Sequence, residues 1–438
     1  MANAATKCIQ DEFAAIIEIA CANSSAELIA VKKACHVLYN YSLEEDVAAR
    51  TTENLRGVLC RNKDEGQEKA PLAGVLPEDI LREILLRLPA DALCRLRLVC
   101  QPWRSLTSDP GFAKAHAARH PLIAGLDRTR CAVHIVDMMS GRVLRRIPVP
   151  LGASQRHCTD LTTAQPGLVC VSPNRGPSFA FDPVDAVVTA TPTRNAAGSG
   201  IECRSILGLV PSTGHHKVLR FQLESTNAGL LVQRCLVLTL NGDRRWRAGP
   251  RPPVIVDWHR SGDRVVVDGV AYFLRRLLNL RDSANVDPDS IASFDLATEK
   301  WRPTTMAGPA SSILARSGDT TKLSQHKHRL QFQLAQLEGC LVTVHHYRDC
   351  SMNLWFLVDA DKGIWDKKYS VQCETRCDMS HVCDPPHPLV ILGDGRIVFR
   401  LKGGVIRAYD ASTTMWADLA NLQGYPVLGL HQGSLLCS

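Results

Sequence analysis

The sequence predicts a chain in two parts, a helical N-terminal quarter followed by a large all-β domain of propeller type with about six blades. Three observations predict it. Apolar residues recur at helical spacing through the first hundred or so residues and lose that spacing after residue 118. From residue 119 short β-rich runs alternate with Gly, Pro and Asp turn signals. Within that region one phrase returns, an apolar residue followed by Asp, five further residues and then Trp.

Composition frames this reading. The 438 residues are 45% hydrophobic and 22% charged, the balance of a folded globular protein too long for one core. No run of about 18 apolar residues occurs, so no membrane association is expected. Asp11, Glu12 and Glu18 interrupt the first apolar stretch, where an export signal would be uncharged. The 17 cysteines are scattered and odd in number, which fits reduced thiols in the cytoplasm or nucleus better than a disulfide framework. Net charge is −3 over residues 1–73, +1 over 74–118 and +9 over 119–438. The last value would suit an acidic or phosphorylated partner. The basic residues form no stripe and no reader motif, so nucleic acid is not expected as a partner.

Residues 1–60 fit three short helices. Ile9, Phe13, Ile16, Ile17 and Ala20 share a face, and Ser24 with Glu27 and Ser42 with Glu45 form capping boxes. Such helices either pack on a neighbouring domain or bind a partner. Residues 61–73 are polar and read as a linker. In residues 74–118, Pro77 pre-organises a helix start, with Glu78 and Asp79 where the dipole favours negative charge. Ile80, Leu81, Ile84, Leu85 and Leu88 form an apolar stripe that Pro89 ends. Asp91 caps a second helix bearing Leu93, Leu96, Val99 and Cys100, and Pro102 opens a third piece with Trp103 and Leu106. Asp109-Pro110-Gly111 reads as a turn before Phe112. So small a unit cannot hide this many large apolar groups, which leaves a helical surface suited to a partner or to packing on its own neighbour.

The run from Leu76-Pro77-Glu78-Asp79-Ile80-Leu81 through Val99-Cys100-Gln101-Pro102-Trp103 to Asp109-Pro110-Gly111-Phe112 resembles the F-box over its whole length. The resemblance implies docking to the Skp-type linker protein of a cullin-based ubiquitin ligase. It assigns the contact, or the small core beneath it, to Leu76, Pro77, Ile80, Ile84, Leu88, Leu93, Val99, Cys100 and Trp103, with Leu96 and Leu106 as core.

The Asp-to-Trp phrase occurs as Phe294-Asp295 to Trp301, Val358-Asp359 to Trp365 and Tyr409-Asp410 to Trp416. Degenerate copies are Val136-Asp137 to Val143, Phe181-Asp182 to Val188, and Thr239-Leu240 to Trp246. Successive second positions lie 45, 58, 55, 64 and 51 residues apart, a blade-like period. The expected structure is a strand, a turn in which Asp accepts amide hydrogen bonds, and a returning strand whose Trp packs between blades. Val265–Phe273 and Val390–Phe399 read as hairpins, the second followed by a turn at Gly403-Gly404. Leu207 to Val218, Ile291 to Asp295, Leu337 to Leu341 and Leu354 to Asp359 resemble the F-box-associated, kelch-like β domains of plant F-box proteins. Such domains recognise a target protein, in some cases a glycan.

The sequence carries no nucleophile elbow, zincin helix or kinase signature. Gly208 to Lys217 lacks the Gly-Lys-Ser/Thr ending of a phosphate-binding loop and reads as a turn between strands. Cys373, Cys377, His381, Cys383 and His387 have zinc-ligand chemistry but no Cys-x-x-Cys pair, so no metal or other cofactor is expected. The pairs His215-His216 and His345-His346 would point to opposite faces of a strand. The resulting expectation is a non-catalytic substrate adaptor of a ubiquitin ligase. The alternatives are a binding or scaffold protein without ubiquitination, and a propeller that binds or processes glycans.

Overall fold

The computed structural model describes residues 78–88, 90, 93, 101–127, 129–152, 159–164, 167–173, 177–183, 185, 188–191, 201–225, 231–242, 245–257, 261–275, 289–312, 331–347, 351–373, 385–425 and 428–431. The N-terminal helices, the polar linker, the Asp91 cap and Leu96 all lie outside these residues. The chain divides into two compact units, Met1–His116 and Ala117–Ser438.

The described helices are α1 (Glu78–Leu85), α2 (Gln101–Ser108) and α3 (Pro110–Arg119). Asp109-Pro110-Gly111 is a helix start rather than a separate turn. The Asp109 carboxylate accepts the Phe112 amide at 2.7 Å, and Pro110 occupies the first helical position. The residues that favour a turn also favour this cap, because both need an acceptor for free amides.

Beyond the helices the chain forms six sheets of four strands. Blade 1 takes β1 (Leu122–Asp127), β2 (Ala132–Asp137) and β3 (Val143–Pro148), with the last strand, β24 (Leu428–His431), on its inner edge. Blade 2 is β4 (Thr159–Ala164), β5 (Leu168–Pro173), β6 (Phe179–Phe181) and β7 (Thr189–Ala190). Blade 3 is β8 (Ile201–Val210), β9 (His215–Ser225), β10 (Leu231–Thr239) and β11 (Arg247–Ala248). Blade 4 is β12 (Arg264–Val267), β13 (Val270–Leu274), β14 (Ile291–Asp295) and β15 (Lys300–Trp301). Blade 5 is β16 (Gln331–Leu337), β17 (Cys340–His346), β18 (Ser351–Asp359) and β19 (Ile364–Gln372). Blade 6 is β20 (His387–Ile391), β21 (Ile397–Arg400), β22 (Val405–Tyr409) and β23 (Trp416–Asn421). The expected hairpins are present. Between β12 and β13, Asp268 (φ +46°) and Gly269 (φ +74°) hold the left-handed backbone of a tight two-residue turn.

A four-stranded sheet alone leaves both faces wet, so the blades bury them against one another. Six apolar clusters do this, one at each blade junction. Phe221 of blade 3 meets Phe273 and Phe294 of blade 4, and Val342 and Phe356 of blade 5 meet Phe399 and Tyr409 of blade 6. The ring closes where Ile123 and Val136 of blade 1 pack with Val398 and Ile406 of blade 6.

Each copy of the Asp-to-Trp phrase forms the turn between the third and fourth strands of a blade. Asp295 Oδ1 accepts the amides of Ala297 (2.7 Å) and Thr298 (3.1 Å). Asp359 and Asp410 do the same for Asp361 and Lys362, and for Ser412 and Thr413. The tryptophans then tie each blade to the one before it. Trp301 Nε1 donates to the Pro250 carbonyl at 3.0 Å, Trp365 Nε1 to Ala307 at 3.0 Å, and Trp416 Nε1 to Gln372 at 2.9 Å. In the degenerate copies Trp246, Val188 and Val143 occupy the corresponding junctions.

Replacing buried Trp416 separates the two parts of this tie. Trp416→Phe keeps an aromatic ring and loses the N–H bond, an expected cost of about 1 kcal/mol. Trp416→Ala also opens a cavity between blades 5 and 6, an expected cost of about 3–5 kcal/mol. Urea denaturation midpoints of the two variants test this ordering.

Candidate docking module and ring channel

In the first unit α1 carries two apolar faces of different fate. Leu85 and Leu86 are buried, as are Ala90, Leu93, Phe112, Ala113 and His116. His116 Nε2 donates to the Leu88 carbonyl at 2.8 Å, and its ring stacks on Phe112 at a centroid distance of 6.3 Å. The Arg82 guanidinium lies 5.7 Å from the centre of the Phe112 ring, with its Nη1 3.7 Å from Asp109 Oδ2. These contacts fasten α3 to α1. The other face is different: Leu81, Ile84 and Leu88 stand at helical spacing, and each is only half-buried. Trp103 and Leu106 on α2 are also half-buried, beside exposed Arg104 and Ser105.

In the second unit the six innermost strands (β24, β4, β8, β12, β16 and β20) enclose a cavity of about 390 Å3. Near the start of those strands polar side chains meet one another. Arg264 on β12 reaches past blade 3 to pair with Asp160 on β4, and both are buried. Gln333 on β16 uses its amide oxygen to accept from His387 Nδ1 at 3.1 Å and from His346 Nε2 at 3.4 Å. Burial pushes His346 and His387 down to about 3, with Arg400 adding to the effect at His387. Of these groups Arg264 and His387 line the cavity, the first as a cation already paired and the second as an imidazole left uncharged near neutrality.

Two known sequence patterns match this chain. The F-box associated β-propeller domain matches residues 145–400, more than half of the chain, and the F-box domain matches residues 75–114. The chain belongs to the F-box-associated β-propeller family. Among curated relatives, F-box protein At3g07870 of Arabidopsis thaliana is 23% identical over 384 residues, covering 78% of this chain and 87% of that one. Among solved structures, the Myceliophteria thermophila Cps50 (Swd1) β-propeller domain aligns with a TM-score of 0.34 and 9% identity, over 70% of this chain and 87% of that one.

The residues expected to contact a linker are distributed as follows. Ile84, Leu88 and Trp103 are half-buried, whereas Leu93 is fully buried and serves the core. Ile80 lies on α1, but its side chain is outside the described residues, as are Leu76, Pro77, Val99 and Cys100. Cys377, His381 and Cys383 of the zinc candidate also lie outside them. Cys373 is buried against the blade 5–6 cluster, and His387 is bonded to Gln333. Among the described residues no group of three His, Cys, Asp or Glu side chains could hold a metal ion.

The histidine pairs diverge. His345 meets Phe332 edge-on at 4.8 Å while His346 faces Gln333, and His215 is exposed while His216 is buried. The Asp160–Arg264 bridge and the Gln333 node were missed in the sequence. Their only signal is a polar residue near the start of an apolar run, which also marks ordinary strand ends.

Four strongly depressed histidines set a pH dependence. Burial pushes His345, His346 and His387 down to about 3 and His431 to about 4, against an ordinary value of about 6.5 in the unfolded chain. The unfolded state then binds protons first as pH falls. Their contribution is complete above about pH 6.5 and is lost as pH falls from there toward 3. The urea midpoint is expected to drop between about pH 7.5 and 5, and His346→Gln to reduce that drop. An unchanged slope in the variant would refute the assignment to His346.

Proposed function

We propose that the chain is the substrate-recognition adaptor of an SCF-type, cullin-RING ubiquitin ligase, with its F-box docking on the Skp-type linker and its propeller holding the target protein. The observation that carries the reading is the half-buried stripe formed by Leu81 and Ile84 on the F-box helix α1 and Leu88 in the turn after it, in a chain whose other unit is a complete propeller. A stripe of this kind is suited to burial by a second polypeptide. The mechanism is proximity. Joining ligase and target in one complex raises the effective concentration of target lysines near the charged conjugating enzyme. The adaptor itself transfers nothing.

The two faces of the ring differ in a way that bears on target recognition. On one face the strands turn tightly, as at 268–269, 296–299, 338–339 and 360–363. From the other leave the long connections 249–263, 275–290, 302–330 and 373–386. The connections between strands of a rigid frame are where binding specificity concentrates, so we assign target recognition to this second face. The net charge of +9 over residues 119–438 favours an acidic or phosphorylated target. The cytoplasm or nucleus is the proposed compartment, in keeping with 17 cysteines that are scattered and odd in number.

Co-purification with a Skp-type linker tests the docking. The intact chain should retain the linker, and a Leu76→Ala/Pro77→Ala variant with an unchanged melting temperature should lose most of it. Equal recovery would remove these two residues from the interface. Absence of linker from both samples would end the adaptor reading.

A further inference from the structure

Lysine and arginine divide unevenly along this chain. Residues 1–114 contain 6 lysines and 8 arginines, and residues 300–438 contain 7 and 8. The stretch between them, 115–299, contains 1 lysine and 21 arginines. A chain-wide preference for arginine would lower lysine everywhere, so it does not explain near parity on both sides of such a stretch.

The structure gives the stretch a location. It builds β1 to β14, which is blade 2, blade 3, three strands of blade 1 and three of blade 4. The remaining strand of blade 1, β24, has no lysine either. The single lysine of this arc is Lys217, only 8% exposed, whose ammonium donates to the Leu296 carbonyl at 2.6 Å and lies 2.8 Å from Glu299 Oε1. Positive charge is kept on the outside by exposed Arg130, Arg142, Arg146, Arg234, Arg245 and Arg251. On the rest of the ring Lys300, Lys362, Lys367, Lys368 and Lys402 are all exposed.

Charge and solubility do not distinguish the two residues, but nucleophilicity does. A guanidinium stays protonated at any working pH, whereas a lysine ammonium can release its proton and become an amine. That amine attacks the carbonyl carbon of the thioester joining ubiquitin to its conjugating enzyme. The C–N bond of an isopeptide forms, the C–S bond breaks, the enzyme's thiolate leaves, and the amine's proton passes to solvent. An arginine-only surface is cationic and inert to this reaction.

We propose that blades 1 to 3 are the side of the ring turned toward the ubiquitin-charged conjugating enzyme, and that the exclusion of accessible lysine from this arc keeps the adaptor from becoming its own substrate. The inference rests on the adaptor reading. Lysines on blades 5 and 6 are tolerated because they stand away from the transfer zone.

Charge-preserving substitutions test it in the full chain, reconstituted with linker, cullin–RING, conjugating and activating enzymes, ubiquitin and ATP. Arg146→Lys on blade 1 and Arg234→Lys on blade 3 place an amine on the arc; the resident, exposed Lys367 and Lys368 of blade 5 are the control. The expected result is a ubiquitin remnant mapped by mass spectrometry to positions 146 and 234, several-fold faster self-conjugation, and none on the two blade 5 lysines. Ubiquitin on neither 146 nor 234, or equal modification of Lys367 and Lys368, in a complex that assembles and is active, overturns this inference alone. Failure of the unsubstituted chain to assemble with the linker overturns the adaptor reading and this inference with it.

Discussion

The second unit depends on four residues supplied from far along the chain. Leu428–His431 pair with Leu122–Gly125, so the innermost strand of the first blade is the last strand made among the described residues. Without it blade 1 would show a bare edge to the channel, and the junction with blade 6 would lose Leu428 from its cluster. The approach to this strand is fastened as well. The Tyr425 hydroxyl bonds His134 Nδ1 at 2.7 Å, and its ring crosses Gly125 so closely that a Cβ there would lie 2.7 Å from it. Thr163 of blade 2 donates its hydroxyl to the Leu430 carbonyl at 2.7 Å, tying the strand to the next blade.

Around the rest of the ring the joint is modular. In blades 1, 4, 5 and 6 an aspartate accepts the turn amides, and in every blade the residue six positions after that place enters the gap to the preceding blade. Where that residue is Trp, as in blades 4 to 6, the indole N–H adds a directed bond to apolar burial. Where it is Val, as in blades 1 and 2, other groups supply the directed contact. At the blade 1–2 joint, for example, that contact is the bond from the Thr163 hydroxyl to the Leu430 carbonyl. The phrase degrades in the sequence for this reason, since burial at the junction is needed everywhere but an indole is not.

The parts legible in the sequence are those whose physics is local. A turn aspartate acts on amides two and three residues away, and a two-residue hairpin is set by Asp268 and Gly269 alone, so both could be read from the residues. The six-blade count followed because the local device repeats. The F-box was legible through its dense apolar spacing, yet spacing could not separate Leu93, which is fully buried, from half-buried Ile84 and Leu88. That distinction depends on where α3 packs. The channel floor was not legible, because Asp160 and Arg264 lie on different blades and meet only after the ring closes. The Asp109 segment was misassigned because turns and helix caps ask the same residues for the same acceptor.

The late position of β24 also has a consequence for synthesis. The F-box leaves the ribosome first, and the strand that completes the ring follows some three hundred residues later, roughly 15–60 s behind at translation rates of about 5–20 residues per second. During that interval a nascent chain holds a finished helical module and an unclosed circle with an unprotected rim. A linker captured co-translationally would hold a receptor that cannot yet select its cargo, and chaperone cover would be needed at the rim until residue 431 has emerged.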